Sequence, residues 1–100
     1  MVIETAGSPF PLRYRFDDTL AVRTRECLLG LLRQADDISP ADVARVLAER
    51  LGAEWRDLMR PVRLIAAELA REGRLEILQN GRRVDILDAR GPVRLRYRGG

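Results

Sequence analysis

The sequence has no histidine and no lysine, and its only cysteine is Cys27. These three residue types supply most of the general bases and nucleophiles of enzymes, so we expect a protein that is not an enzyme. No group of cysteine and acidic residues has metal-ligand spacing, and no glycine-rich phosphate loop is present. The sequence therefore predicts neither a metal site nor a bound cofactor.

Long apolar runs are also missing. No stretch approaches the roughly 20 apolar residues of a membrane span, and no basic start with an apolar middle indicates a signal peptide. A single cysteine cannot form an intramolecular disulfide, which fits a reducing compartment. With 46% hydrophobic and 33% charged residues in 100, the composition is typical of one globular domain. We therefore expect a cytoplasmic protein.

All 18 basic residues are arginines. A GC-rich bacterial genome explains this bias, because arginine codons are GC-rich. Selection for bidentate phosphate contacts is the alternative. Residues 1–50 carry seven arginines and eight acids, whereas residues 51–100 carry eleven arginines and seven acids. If the protein binds a polyanion, the C-terminal half is expected to contact it.

The chain divides into an N-terminal arm, residues 1–16, and a domain, residues 17–100. Within the arm, residues 12–16 alternate apolar and basic and predict a short strand. Residues 19–35 predict a helix with one apolar face formed by Leu20, Thr24, Cys27, Leu28 and Leu31. Val22 and Leu29 lie on the opposite face, so the helix is apolar on two sides. Either the arm covers the second side, or this helix forms a homodimer interface.

Two further helices are predicted. Ser39-Pro40-Ala41-Asp42 combines a hydroxyl cap, proline at the first helical position and an acid three residues after the serine. This helix runs to Leu51, and Gly52 ends it. Residues 54–59 predict a helical turn in which Trp55 fills the gap between helices. The third helix spans residues 61–72, because a proline deeper inside would cost about 3 kcal/mol.

The rest of the chain predicts strands. Residues 74–79 and 82–86 flank Asn80-Gly81, a strong signal for a type I′ hairpin. Residues 93–98 alternate and predict a third strand, with Val93, Leu95 and Tyr97 facing the core. This order of elements predicts an α+β winged helix-turn-helix: three helices with a C-terminal hairpin, the wing, residues 79–83.

Several motifs in the same order resemble a small bacterial winged-helix family known as a domain of unknown function. The resemblance covers residues 28–98 and rests on Ser39-Pro40-x-Asp42-Val43-Ala44-Arg45, Trp55-Arg56-x-Leu58-Met59-x-x-Val62-Arg63, Gly73-Arg74-Leu75-x-Ile77-x-Gln79-x-Gly81-x-x-Val84-Asp85 and Gly91-Pro92-Val93-Arg94-Leu95-Arg96. It implies a winged-helix fold. It implies no activity, ligand or functional residue, and it does not extend to the arm.

Double-stranded DNA is the predicted partner, and a transcriptional regulator is the predicted role. Helix 61–72 would enter the major groove, and the wing would contact the backbone or minor groove. The candidate DNA-binding residues point outward from this helix or lie along the hairpin: Arg63, Leu64, Ala67, Arg71, Arg74, Gln79, Asn80, Arg82 and Arg83.

A protein-interaction module that keeps the fold without binding DNA is the alternative. The outer face of helix 61–72 carries Leu64, Ala67 and Glu68 and no amide, so it suits a protein partner as well as it suits base readout. Glu68 would repel phosphates unless it pairs with Arg71 or accepts from a cytosine. Arg94, Arg96 and Arg98 either extend a phosphate-binding surface or protect a sheet edge.

Overall fold

A computed structural model describes residues 18–35 and 37–98. Within them, three helices and a four-stranded antiparallel sheet form an α+β domain, compatible with a winged-helix arrangement. The helices are α1 Asp18–Gln34, α2 Pro40–Leu51 and α3 Met59–Arg71, with a 3-10 helix at Trp55–Leu58. The strands are β1 Asp37–Ile38, β2 Leu75–Gln79, β3 Arg82–Arg83 and β4 Arg94–Tyr97. The arm and its predicted strand lie outside the described residues.

The predicted start and end of α2 are confirmed. The Ser39 hydroxyl accepts from the Asp42 amide at 3.1 Å, and an Asp42 carboxylate oxygen accepts from the Ser39 amide at 2.9 Å. Proline occupies the first turn, where a missing N–H costs nothing. Gly52 ends the helix with φ of 68°, the left-handed conformation expected of a C-terminal cap.

The third helix begins two residues earlier than predicted. The 3-10 helix runs directly into α3, so Pro61 is the third helical residue and not the first. It remains in the first turn, where backbone N–H groups have no partner within the helix. The earlier start adds Met59 and Arg60 to α3, which changes the surface that this helix presents.

The sheet has the order β1-β4-β2-β3. The sequence predicted no strand between the first two helices, yet Asp37 and Ile38 pair with Arg96 and Leu95 of β4. This pairing depends on a partner more than fifty residues away, which local pattern cannot indicate. The predicted third strand is confirmed and lies between β1 and β2.

The hairpin turn is also confirmed, with φ of 54° at Asn80 and 80° at Gly81. The returning strand is shorter than predicted, because regular pairing ends at Arg83. One further bond, from the Val84 amide to the Ile77 carbonyl at 3.0 Å, closes the pair. The chain then leaves the sheet.

The core lies between the three helices and the inner face of the sheet. Helix α1 packs on both α2 and α3. Its buried residues are Leu20, Thr24, Cys27, Leu28 and Leu32, so Leu32 and not Leu31 completes the predicted face. Leu29, predicted on the opposite side, packs partly against the core, while Val22 is 53% exposed. The second apolar side of α1 is therefore narrower than the sequence suggested.

Candidate nucleic-acid interface

The outer face of α3 presents Arg60, Leu64 and Arg71. These residues follow the helical spacing i, i+4, i+11 and share one side of the helix. Arg60 and Arg71 are exposed, and Leu64 is half-buried. Arg60 was missed from the sequence because the helix was expected to begin after it. Its spacing from Leu64 would have identified it once Met59 was taken as the helix start.

One flank of α3 is covered by residues 84–90, which follow the hairpin. Ile86 of this segment is buried, and it lines concavities together with Leu64, Ala67 and Arg71. Ala67 is only 7% exposed. The prediction that Ala67 points outward for DNA is therefore wrong, because the covering segment fills the space beside it.

Arg63 holds the covering segment in place. Its guanidinium Nη2 donates to the Ile86 carbonyl at 3.2 Å and to the Ala89 carbonyl at 3.4 Å. The segment is closed by its own bonds as well, since the Ala89 amide donates to the Asp85 carbonyl at 2.9 Å. Arg63 lies beside the outer face, with donors already used by the protein backbone.

Glu68 is neutralised from the other flank. Arg25 of α1 donates to Glu68 at 3.3 Å and pairs with both carboxylate oxygens of Glu72. These contacts hold the pKa of Glu72 below its ordinary value and raise the pKa of Arg25. The sequence left open a pairing of Glu68 with Arg71, and in the structure Glu68 contacts Arg25 of α1 instead. Arg71 is left without an ion pair to any described residue.

The two wing arginines lie on opposite faces of the hairpin. Arg83 pairs with Leu78 in the register, so its side chain shares the outer sheet face with Glu76. It donates to Glu76 at 2.7 Å. Arg82 pairs with Gln79, whose face is also that of the buried Ile77, the face on which α3 packs. Among the described residues, Arg82 has no side-chain hydrogen bond or ion pair.

Gln79 connects the hairpin tip to a second arginine. Its side-chain amide nitrogen, Nε2, donates to the Arg90 carbonyl at 2.5 Å and to the Pro92 carbonyl at 3.2 Å. Arg90 is therefore held beside the exposed turn at Asn80, although no local sequence signal placed it there. Arg74 is at the opposite end of β2, roughly 17 Å from the tip at the usual rise of a strand. The structure does not bring Arg74 together with the wing.

The arginines of the outer sheet face differ from those near α3 in whether they form ion pairs. Arg83 and Arg98 both donate to Glu76, and Arg94 donates to Asp37. The two arginines hold the pKa of Glu76 below its ordinary value. By contrast, the structure shows no ion pair between a described residue and any of four other arginines, Arg60, Arg71, Arg82 and Arg90. Arg94 and Arg98 thus balance acids within the sheet, whereas Arg96, which lies between them, is exposed and has no ion pair to a described residue.

Two other residues have structural roles. Cys27, which the sequence placed on the apolar face of the first helix, is 2% exposed, and burial raises the pKa of its thiol. Trp55 is half-buried against the core, with the guanidinium groups of Arg45 and Arg56 at 4.5 and 4.6 Å from its ring centre.

The described residues include no group of three or more cysteine, aspartate or glutamate side chains that could hold a metal ion. No helix within residues 18–35 and 37–98 is long and apolar enough to cross a membrane.

Comparison with known proteins gives a family without an assigned activity. No curated protein matches the chain. One family matches residues 21–98, which include most of α1, the sheet and the covering segment. This match spans more than half of the chain and agrees with the resemblance seen in the motifs. The chain belongs to the family described as protein of unknown function, DUF3253.

Proposed function

We propose that this protein binds duplex DNA, with α3 in the major groove and the hairpin tip on the backbone or minor groove. The observation that carries the proposal is the unequal pairing of arginines. Arg60, Arg71, Arg82 and Arg90 belong to α3, the hairpin and the segment that packs beside them, and none has a carboxylate partner among the described residues. Phosphate oxygens are the natural acceptors for such groups.

The acids near this surface reduce its charge without cancelling it. Glu68 is already paired with Arg25. Asp85 accepts from the Leu87 amide at 2.9 Å, which holds its carboxylate against its own turn. Asp88 is exposed and opposes phosphate binding. Four unpaired arginines against these acids leave the surface positive, which suits a polyanion.

The test is a titration of a labelled random-sequence duplex, followed by fluorescence anisotropy at several salt concentrations. About four phosphate contacts predict a log–log slope near −3.6. Arg82→Ala should weaken binding and reduce the magnitude of this slope by about 1. Arg83→Ala is the matched control, since Arg83 already pairs with Glu76, and it should leave the slope unchanged.

The two variants also separate the possible failures. Loss of binding with Arg83→Ala but not with Arg82→Ala would assign the contact to the opposite sheet face. No binding by the parent protein at low salt would overturn the proposal.

A protein-interaction module is the second candidate function, favoured by the apolar groups Leu64 and Leu87 beside the arginines. Binding through these leucines would depend far less on salt than binding through phosphates. A partner captured equally well at low and high salt would support this candidate.

The remaining features of the proposal concern the whole protein. We propose a regulatory protein without catalytic activity. Its location would be cytoplasmic, where the DNA of a bacterial cell lies. We also propose a homodimer through the exposed side of α1 around Val22, since many winged-helix regulators need two copies to span two half-sites.

A further inference from the structure

Two leucines lie side by side on the proposed DNA-binding surface. Leu64 of α3 and Leu87 of the covering segment line one concavity of about 570 Å³, together with Arg60 and Arg63. Leu87 is 53% exposed. Neither leucine is among the described side chains that form the hydrophobic core or pack against it. Their exposure is therefore not explained by folding.

Leu87 is held in position although it is exposed. Its amide donates to the Asp85 carboxylate at 2.9 Å, and the Asp88 amide donates to the Asp85 carbonyl at 3.0 Å. Arg63 fixes the residues on both sides of Leu87 through the Ile86 and Ala89 carbonyls. Because the backbone of this turn is already ordered, a ligand that covers Leu87 causes little further loss of backbone entropy.

Polar base readers are scarce beside this leucine pair. The Arg63 guanidinium is bonded to backbone carbonyls, Glu68 is paired with Arg25, and Ala67 is buried. Helix α3 carries no asparagine or glutamine. Arg60 and Arg71 are the polar residues on the outer face of α3 that remain to hydrogen-bond a base edge or a phosphate.

We propose that Leu64 and Leu87 recognise the C5-methyl groups of thymine in the major groove. This inference rests on the proposed function. The thymine methyl is the apolar group that the major groove presents, and apolar side chains contact it directly. Arginines lie beside the leucine pair, and phosphates lie on both sides of the thymine methyl groups in a groove. The arginines could therefore pair with phosphates while the leucines contact the methyl groups, which favours DNA over an apolar protein surface.

The experiment begins with selection from a pool of random-sequence duplexes, using the full-length protein at low salt. The selected duplex is then remade with deoxyuridine in place of thymidine, one position at a time. This exchange removes only the methyl group. At contacted positions it should weaken binding about fourfold, the usual effect of one buried carbon group. Replacing cytosine by 5-methylcytosine elsewhere controls for a general effect of methylation.

Variants then assign the methyl contact to the leucines. Leu64→Ala and Leu87→Ala should each bind the thymidine and deoxyuridine forms of the selected duplex more nearly alike. Arg83→Ala shortens a side chain on the outer sheet face, where Arg83 pairs with Glu76, and should keep the fourfold preference. The comparison of duplexes uses the parent protein, so it does not depend on the folding of any variant.

The outcomes are distinct. A selected site whose deoxyuridine forms bind as tightly as the thymidine form overturns the inference and leaves DNA binding in place. Salt-sensitive binding without any enriched sequence has the same meaning, because no base is then read. No binding to any duplex overturns the proposed function as well, and a salt-insensitive protein partner that requires Leu87 would replace it.

Discussion

Ser39 and Asp42 each accept a backbone N–H of the other, so two donors at the start of α2 are satisfied at once. Ser39→Ala removes one of these acceptors and should lower the free energy of unfolding by about 1 kcal/mol. Chemical denaturation of the parent protein and the variant measures this difference. The double variant Ser39→Ala/Asp42→Ala should lose less than the sum of the single losses, because the two residues act as one cap. Strict additivity would contradict the reciprocal cap.

The same cap predicts a dependence of stability on pH. The Ser39 amide holds the pKa of Asp42 below its ordinary value, which is about 4. A carboxyl whose pKa is lower in the folded state stabilises the fold at pH values above its ordinary pKa. That stabilisation is lost as the pH falls through the folded pKa. Asp42→Asn keeps an acceptor but removes the charge, so its unfolding midpoint should change less between pH 5 and pH 2. An unchanged pH profile would contradict the assignment.

At the scale of single residues, the sequence identified the candidate arginines but not which of them already bind other groups of the protein. Arg82 and Arg83 are equivalent as neighbours in the sequence, yet only Arg83 meets a carboxylate. Arg63 and Ala67 looked available on a helical wheel because a wheel shows one helix without its neighbours. Their partners come from residues 84–90, more than fifteen positions along the chain. Such contacts have no local signature, so the site could be predicted only in outline.

Among the elements, the hairpin depends on glycine at its second turn position. Gly81 has φ of 80°, which strains any residue with a Cβ atom even though nothing lies within 4 Å of the space that atom would occupy. Gly81→Ala should therefore destabilise the protein by about 1 kcal/mol. It should also weaken the proposed DNA binding, because it displaces Arg82. Thermal unfolding and the anisotropy titration measure these effects.

Gly30 provides the matched control within a helix. A Cβ at Gly30 also meets nothing within 4 Å, and its φ is not positive. Gly30→Ala should raise the free energy of unfolding by about 0.5–1 kcal/mol, because alanine favours the helix. If Gly30→Ala and Gly81→Ala destabilised the protein equally, the positive φ of Gly81 would not be the cause of its loss of stability.

The elements themselves were largely predictable because their signals are local. The Ser39 cap, the glycine after α2 and the Asn80-Gly81 turn each act within a few residues, and all three are confirmed. Strand β1 was missed because two residues cannot show a period. Residues 84–86, the first part of the covering segment, were expected to continue a strand, but Ile86 gains more from burial against α3 than from a solvent-exposed edge.

Across the whole molecule, the exposed side of α1 is the surface that most directly tests the proposed homodimer. Val22 is 53% exposed, whereas Leu29 packs partly on the core. A charge at Leu29 would destabilise the fold and confuse the test. Val22→Asp should keep the fold and convert a dimer into a monomer, because a carboxylate buried without a partner is costly. Light scattering after size-exclusion chromatography measures the mass, and circular dichroism checks the fold.

Leu87→Asp is the control for Val22→Asp. It places the same charge on the other strongly exposed apolar residue and should leave the mass unchanged. A parent protein that is already monomeric, or a dimer that persists in Val22→Asp, would exclude the Val22 side of α1 as the interface. In the monomeric case the proposed DNA contact would be made by single copies.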